Sequence, residues 1–148
     1  MSLPTEFDFA VIQMGDGGSP TETFAIICGM KDASVNFVAN TNDRFVRDCA
    51  APGGVPTRKV KVTGKQLDVT GTGLTDKAQV GNLLAALGKV KNYKVLGYAD
   101  DGTGTGTLLG TISGAFVLTA SNLNIPRDDA ASAEITLANH GDWTWTAA

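Results

Sequence analysis

One histidine, two cysteines and little charge mark this chain: Asp, Glu, Lys and Arg make up 18% of its 148 residues, against about a quarter in an ordinary soluble domain. Each shortage excludes something. Any Ser-His-Asp or Cys-His system would rest on His140 alone, and His140 stands in an Asn-His-Gly-Asp stretch (139–142) that turn chemistry explains. No spacing brings a nucleophile, a base and an orienting group together, so no catalytic residue is assigned and no enzyme is expected. Cys28 falls in an apolar run and Cys49 in a polar one, neither in a CxxC pair, which points to free thiols and no metal site. No apolar run approaches the roughly 18–20 residues that cross a bilayer. The start, MSLPTEFDF, has neither the basic nor the apolar region of a secretion signal, so folding in cytoplasm is expected. A net charge of −3 provides no dominant basic surface for nucleic acid. Sparse charge also leaves fewer groups to hold copies apart, a lean toward self-association.

What the chain does contain is strand signal. Residues 7–14 (FDFAVIQM) form a β-rich run stopped by the breaker cluster 15–20. Residues 23–28 form a second, continuous enough to be buried on both faces. In 34–38, Val35 and Phe37 alternate with Ser34 and Asn36, as on a sheet with one apolar face. Residues 40–57, with two prolines and two glycines, read as a long loop, and such loops in compact domains are functional or disordered. Alternation resumes in 58–62, Val60 and Val62 opposing Lys59 and Lys61, and again in 66–70, Leu67 and Val69 opposing Gln66, Asp68 and Thr70. Gly64 between them predicts a bulge that re-registers the apolar face.

One helix is predicted, over about 76–88. Asp76 and Gln79 make a D-x-x-Q cap, Val80, Leu83, Leu84 and Leu87 form its packing face, and Gly88 ends it. Further strands follow at 93–98, 108–113, 116–121 and 133–138, then a short Trp143-Thr144-Trp145 strand. The fold class is mainly β: a β-sandwich or open barrel of about eight strands with one flanking helix, a single domain over 1–148.

Three features tempt a chemical reading. The Gly-rich run 102–110 is followed by β-type residues, with no helix and no Gly-Lys-Ser/Thr, so it reads as a hairpin tip and not a phosphate loop. Asp100-Asp101 and Asp128-Asp129 lack the spaced ligands of a calcium loop. Trp143 and Trp145, two apart, fit a half-buried strand better than a sugar-stacking platform. No metal, cofactor or catalytic residue is assigned.

The order of these parts carries a resemblance. A strand pair leads to the alternating strand 34–38, the long loop 40–57, the segment KVKVTGKQLDVTGTGL (59–74), one helix, and the ending GTISGAFVLTASNLNIPRDDAASAEITLANHGDWTWT (110–146). Laid out so, the chain resembles the tail tube (major tail) proteins of long-tailed bacteriophages and related tail-like particles. The resemblance implies a virion structural protein, made and assembled in host cytoplasm and residing in the virion tail. Its copies form homohexameric rings stacked into a hollow tube, with tape-measure, tail-terminator and distal-tail or baseplate proteins as partners. DNA passes without sequence-specific binding, and no cofactor is implied. The long loop is expected to reach the adjacent ring through Asn42, Asp43, Arg44, Phe45, Arg47, Asp48, Pro52, Val55 and Pro56. The polar faces beside it, Ser34, Asn36, Asn40, Lys59, Lys61, Thr63 and Asp68, are expected toward the lumen. Lys59 and Lys61 sit awkwardly there, since a DNA passage should not hold phosphates tightly. The alternative reading is a carbohydrate- or receptor-binding β-sandwich module of a tail tip or adhesin, resting on the Trp pair.

Overall fold

The computed structural model of the chain describes residues 3–74 and 76–148. Seven strands, β1 (Phe9–Gly15), β2 (Phe24–Ile26), β3 (Met30–Val46), β4 (Thr57–Leu74), β5 (Val90–Ala99), β6 (Thr107–Asn124) and β7 (Ser132–Ala147), surround one helix, α1 (Lys77–Ala86). All strands join one antiparallel sheet in the order β2-β1-β5-β6-β7-β4-β3. The mainly β class with one helix is as the sequence predicts. The strand count falls from about eight to seven because predicted neighbours run together. Segments 58–62 and 66–70 are both in β4, 108–113 and 116–121 in β6, and 133–138 and 143–145 in β7.

The fusions have a common physical cause: irregularities are absorbed as bulges within a strand instead of breaking it. Opposite β6, the pairing jumps from Gly114↔Trp143 to Phe116↔Asn139, so the Asn-His-Gly-Asp segment is a bulge in β7 and not a turn. Gly141, at φ +92°, supplies the left-handed backbone this requires. Segment 23–28, expected to be buried on both faces, holds only the three-residue edge strand β2, whose Ile26 is exposed while Ile27 beyond it is buried.

The sheet curls until β1 packs against β3, although five places separate them in strand order. Small residues permit that closeness. A Cβ on Gly71 of β4 would stand 2.8 Å from Ile12 Cδ1 of β1 and 3.2 Å from Ile135 Cγ1 of β7. Inside the curl lie Ile12, Leu67, Val69, Val95, Phe116, Leu118, Ile135 and Leu137, with Tyr93 edge-on to Phe116 at 6.2 Å. The result is an open barrel with its seam between β1 and β3.

The helix closes part of the core. Asp76 Oδ1 accepts from the Ala78 N–H at 3.1 Å, so Asp76 caps through Ala78, while Gln79 contributes its backbone N–H to the Asp76 carbonyl. Gly88 follows with φ +76° and donates its N–H to Leu118 O at 2.9 Å, pinning the helix end to β6. That tie turns Leu83 and Ala86 inward, and Val80 is half-buried. Leu84, expected on the packing face, is instead 62% exposed, and Leu87 is also exposed. The small Ala86 lets the helix approach β6 closely, and Leu84 lies about 100° round the helix from Leu83 and about 160° from Ala86.

β4 is the pivotal strand. Over 68–73 it pairs with β7 on one side and β3 on the other; from Leu67 back to Thr57 its only ladder partner is β3. At the parting point the buried Leu67 N–H donates to the Asn139 side-chain Oδ1 at 3.0 Å, and Asn139 Nδ2 donates to Gly141 O at 2.8 Å. Asn139 thus stands in for the β7 backbone where β7 bulges away, and it satisfies an amide that would otherwise be stranded.

Two substitution tests follow. Asn139→Ala removes the acceptor of a buried amide and should cost about 1–3 kcal/mol, read as a lower denaturation midpoint; an unchanged midpoint would show that the fork does not depend on it. At Gly73 a Cβ would collide with the Gly29 carbonyl, which is backbone, whereas at Gly81 in α1 a Cβ meets nothing within 4 Å. Gly73→Ala should therefore destabilise by about 1–3 kcal/mol, and Gly81→Ala should stabilise by about 0.5–1 kcal/mol, both measurable by chemical denaturation.

Candidate assembly surface

Beyond the fork, β3 and β4 continue as a two-stranded ribbon from Asn40↔Gly64 to Val46↔Thr57. The predicted loop 40–57 is therefore shorter, 47–56, and residues 40–46 are strand. Polar composition concealed this, because both faces of the ribbon stand in water and no apolar alternation is needed to pair it. The ribbon is an arm: at about 3.3 Å per residue, seven residues reach roughly 23 Å past the fork.

The bulge predicted near Gly64 falls at Thr63. Pairing shifts from Asn40↔Gly64 to Thr41↔Val62, leaving Thr63 without a cross-strand partner, its Oγ1 donating to Asn40 O at 3.1 Å. The extra residue changes which side chains share a face. Val60 and Val62 join the face of Leu67 and Val69, and Lys59 and Lys61 join that of Asp68. The structure thus gathers Ser34, Asn36, Asn40, Asp68, Lys59 and Lys61 on one polar face. Asn40 Nδ2 donates to Gln66 Oε1 at 3.2 Å, and Gln66 Nε2 to Asp68 Oδ2 at 3.0 Å.

The nine loop residues divide. Asn42 and Arg44 belong to the polar face of the arm, opposite Lys61 and Lys59, while Asp43 and Phe45 lie on the other, where Arg58 Nη1 stands 3.7 Å from Asp43 Oδ2. In the loop itself Arg47 Nη1 donates to Pro52 O at 2.9 Å, Asp48 Oδ1 accepts from Ala50 N at 2.9 Å, Val55 is almost wholly exposed and Pro56 is partly covered. The second face of the arm sets open apolar side chains beside that ion pair: Phe45 is 72% and Val62 63% exposed, with Val60 and, nearer the body, Phe37 also exposed.

That open face runs into the seam. Between β1 and β3 lies a cleft of about 600 Å³ lined by Phe7, Phe9, Val35, Phe37, Trp143 and Trp145, with Asp8, Lys31 and Asp32 also in its lining. Gly97 is in its lining, where a Cβ would strike the Phe7 ring, and on β6 a Cβ on Gly110 would strike the Trp145 ring. The Trp pair is divided in environment. Trp143 leans on Phe37 at 6.2 Å, with Lys65 Nζ 5.1 Å from its ring and 2.8 Å from Asp142 Oδ1. Trp145 meets Phe7 edge-on at 6.3 Å and stays half exposed. The hydrogen bond and charge of Lys65 hold the Asp142 carboxyl below its ordinary value.

The polar clusters weighed as chemical sites are occupied by the chain's own groups. In the Gly-rich tip, Asp101 Oδ1 accepts from the Thr103 N–H at 2.9 Å and Asp101 Oδ2 from Thr107 Oγ1 at 2.9 Å, donors that lower the Asp101 pKa, Thr103 foremost. Asp100 Oδ1 accepts from Gly102 N, and Asp8 Oδ2 from Asp100 N at 2.7 Å. A phosphate would compete with these carboxylates for the same donors. Among the described residues no cluster of His, Cys, Asp and Glu is arranged to hold a metal, and Cys28 and Cys49 are free.

Sequence reasoning missed Asn139, whose role appears only when β7 bulges beside β4, and it missed the seam, which depends on strands far apart in sequence.

No protein-family model matches the chain, and no curated protein matches it in sequence. Solved structures do match. A chain of the native gene transfer agent virion is 19% identical, spanning 97% of this chain and 100% of its own, with a TM-score of 0.69. One from the C6-symmetric tail of the empty gene transfer agent particle is 21% identical over 93% and 95%, at 0.65. One from the SPP1 tail tube is 10% identical over 98% and 80%, at 0.64. The likeness is one of fold and covers nearly every residue: the curled sheet with its flanking helix is the fold of chains found in these tails and tubes.

Proposed function

We propose that the chain is a structural subunit of a tail tube, its copies closing into hexameric rings that stack around a central channel. The observation that carries this is the arm together with the seam, on a fold that coincides end to end with chains of tail particles. A two-stranded ribbon is marginal in water without further packing, and its open side chains Phe45, Val60 and Val62 share a face with Phe37, which lines the apolar cleft. β3 also leaves one whole edge unpaired, a template for another chain. Head-to-tail association closes such surfaces in a ring.

On this reading the protein is a wall and not an enzyme, resides in the tail of a virion or phage-like particle, and is made in host cytoplasm. The loop 47–56 and the arm before it reach the neighbouring ring. Ser34, Asn36, Asn40 and Asp68 face the channel, a mixed polar lining that lets DNA pass without being held. Tape-measure, terminator and distal-tail or baseplate proteins are its expected neighbours. The glycan-binding alternative is weaker, because Trp143 is engaged by Phe37 and Lys65, which leaves only Trp145 to offer an open ring.

Electron microscopy of the purified protein tests the proposal. Rings or tubes with a central channel are expected as concentration rises, and a strictly monomeric species at high concentration would contradict it. Removing residues 52–56 should leave a folded subunit that makes rings but few tubes; tubes of normal length would refute a stacking role for the loop.

A further inference from the structure

Charge is divided unevenly along this molecule. The arm and its loop, residues 40–65, hold six cations (Arg44, Arg47, Arg58, Lys59, Lys61, Lys65) and two acids (Asp43, Asp48), net +4; the remainder holds six cations and thirteen acids, net −7. Two of the arm's cations are engaged, Arg58 by Asp43 and Lys65 by Asp142. Arg44, Lys59 and Lys61 have no ion-pair partner among the described residues, and all three lie on one face of the arm. Arg44 and Lys59 are direct cross-strand partners, an arrangement that destabilises a ribbon left to itself.

The opposite end of the molecule carries the complement. β4 runs from the arm through 68–74 to Leu74↔Ser132, and Ser132 also pairs with Asn124, so the β6–β7 turn 125–131 lies at the pole away from the arm. Asp128 and Asp129 of that turn are exposed and have no ion-pair partner among the described residues; Arg127 is the turn's only cation, and Asp129 Oδ1 accepts the Ala130 N–H at 2.7 Å.

We propose that the cation row Arg44, Lys59 and Lys61 docks on the Asp128–Asp129 turn of a second copy of this chain. The inference rests on the tube reading, in which every copy points the same way along a stack and the arm's pole meets the opposite pole of the next. It supplies what the row lacks: countercharge that relieves the Arg44/Lys59 opposition and a surface on which the arm is held. It also removes the difficulty of placing Lys59 and Lys61 in a passage for DNA, since the row is spent on protein. Contacts of this kind act over about 8 Å at physiological ionic strength, so added salt should weaken stacking.

Charge reversal tests this on the full chain without DNA. Lys59→Glu with Lys61→Glu, and separately Asp128→Lys with Asp129→Lys, should each leave the subunit's melting transition in place, as the sites are exposed. Each should shorten tubes at least tenfold by electron microscopy, and combining all four should recover wild-type length. Wild-type tube length should fall as sodium chloride rises. Wild-type tubes from either reversed pair, or no recovery in the combination, would overturn the docking. Wild-type protein that forms no tube at any salt concentration would instead overturn the underlying reading.

Discussion

Over residues 68–73 β4 is paired on both sides, and over residues 57–67 its ladder partner is β3 alone. The rest of the structure depends on that difference. At and beyond the parting point, Leu67 and Val69 begin an interior that continues through Leu137, Leu118 and Phe116. Where one side is free, the same strand and its partner β3 leave the body with Phe45, Val60, Val62 and an outer edge all uncovered. Asn139 marks the boundary, because its side chain satisfies the Leu67 amide where β7 bulges away. A subunit built so is stable in its body and incomplete in its arm, and incompleteness of that sort is met by another copy of the chain.

The curl of the sheet is the second element of the account. β1 and β3 come together over Gly71, but they do not pair, and the seam between them stays open as an apolar cleft with Gly97 in its lining. At Gly71, Gly97 and Gly110 aliphatic or aromatic side chains occupy the space a Cβ would take. Phe37 lines the cleft and shares its face with Val60, Val62 and Phe45 of the arm, so the cleft and the open side chains of the arm lie on one side of the sheet.

Much of this was legible in the residues. Alternation at Val60, Val62, Leu67 and Val69, interrupted near Gly64, announces a strand with a bulge, and the bulge at Thr63 keeps all four side chains on one face. The helix was legible from its cap and its end. Its inward face was not, since the tie from Gly88 to Leu118 orients it by a contact to a strand thirty residues away, and periodicity alone favoured Leu84. Residues 40–46 hid as loop because a ribbon wet on both faces shows no hydrophobic period. Of the polar residues expected together, Ser34, Asn36, Asn40, Asp68, Lys59 and Lys61 share a face and Thr63 is the bulged residue, while the seam, made by β1 and β3 from distant parts of the chain, left no local signal.

The central claim is that the arm is uncovered in the free subunit and covered in the assembly. Hydrogen exchange at its backbone amides, residues 41–46 and 57–62, measures this directly. The account predicts fast exchange of arm amides in the monomer beside slow exchange at Leu67, Val69 and Ile135. In assembled particles those arm amides should become strongly protected. Arm amides equally protected in both states, or equally fast in both, would contradict it.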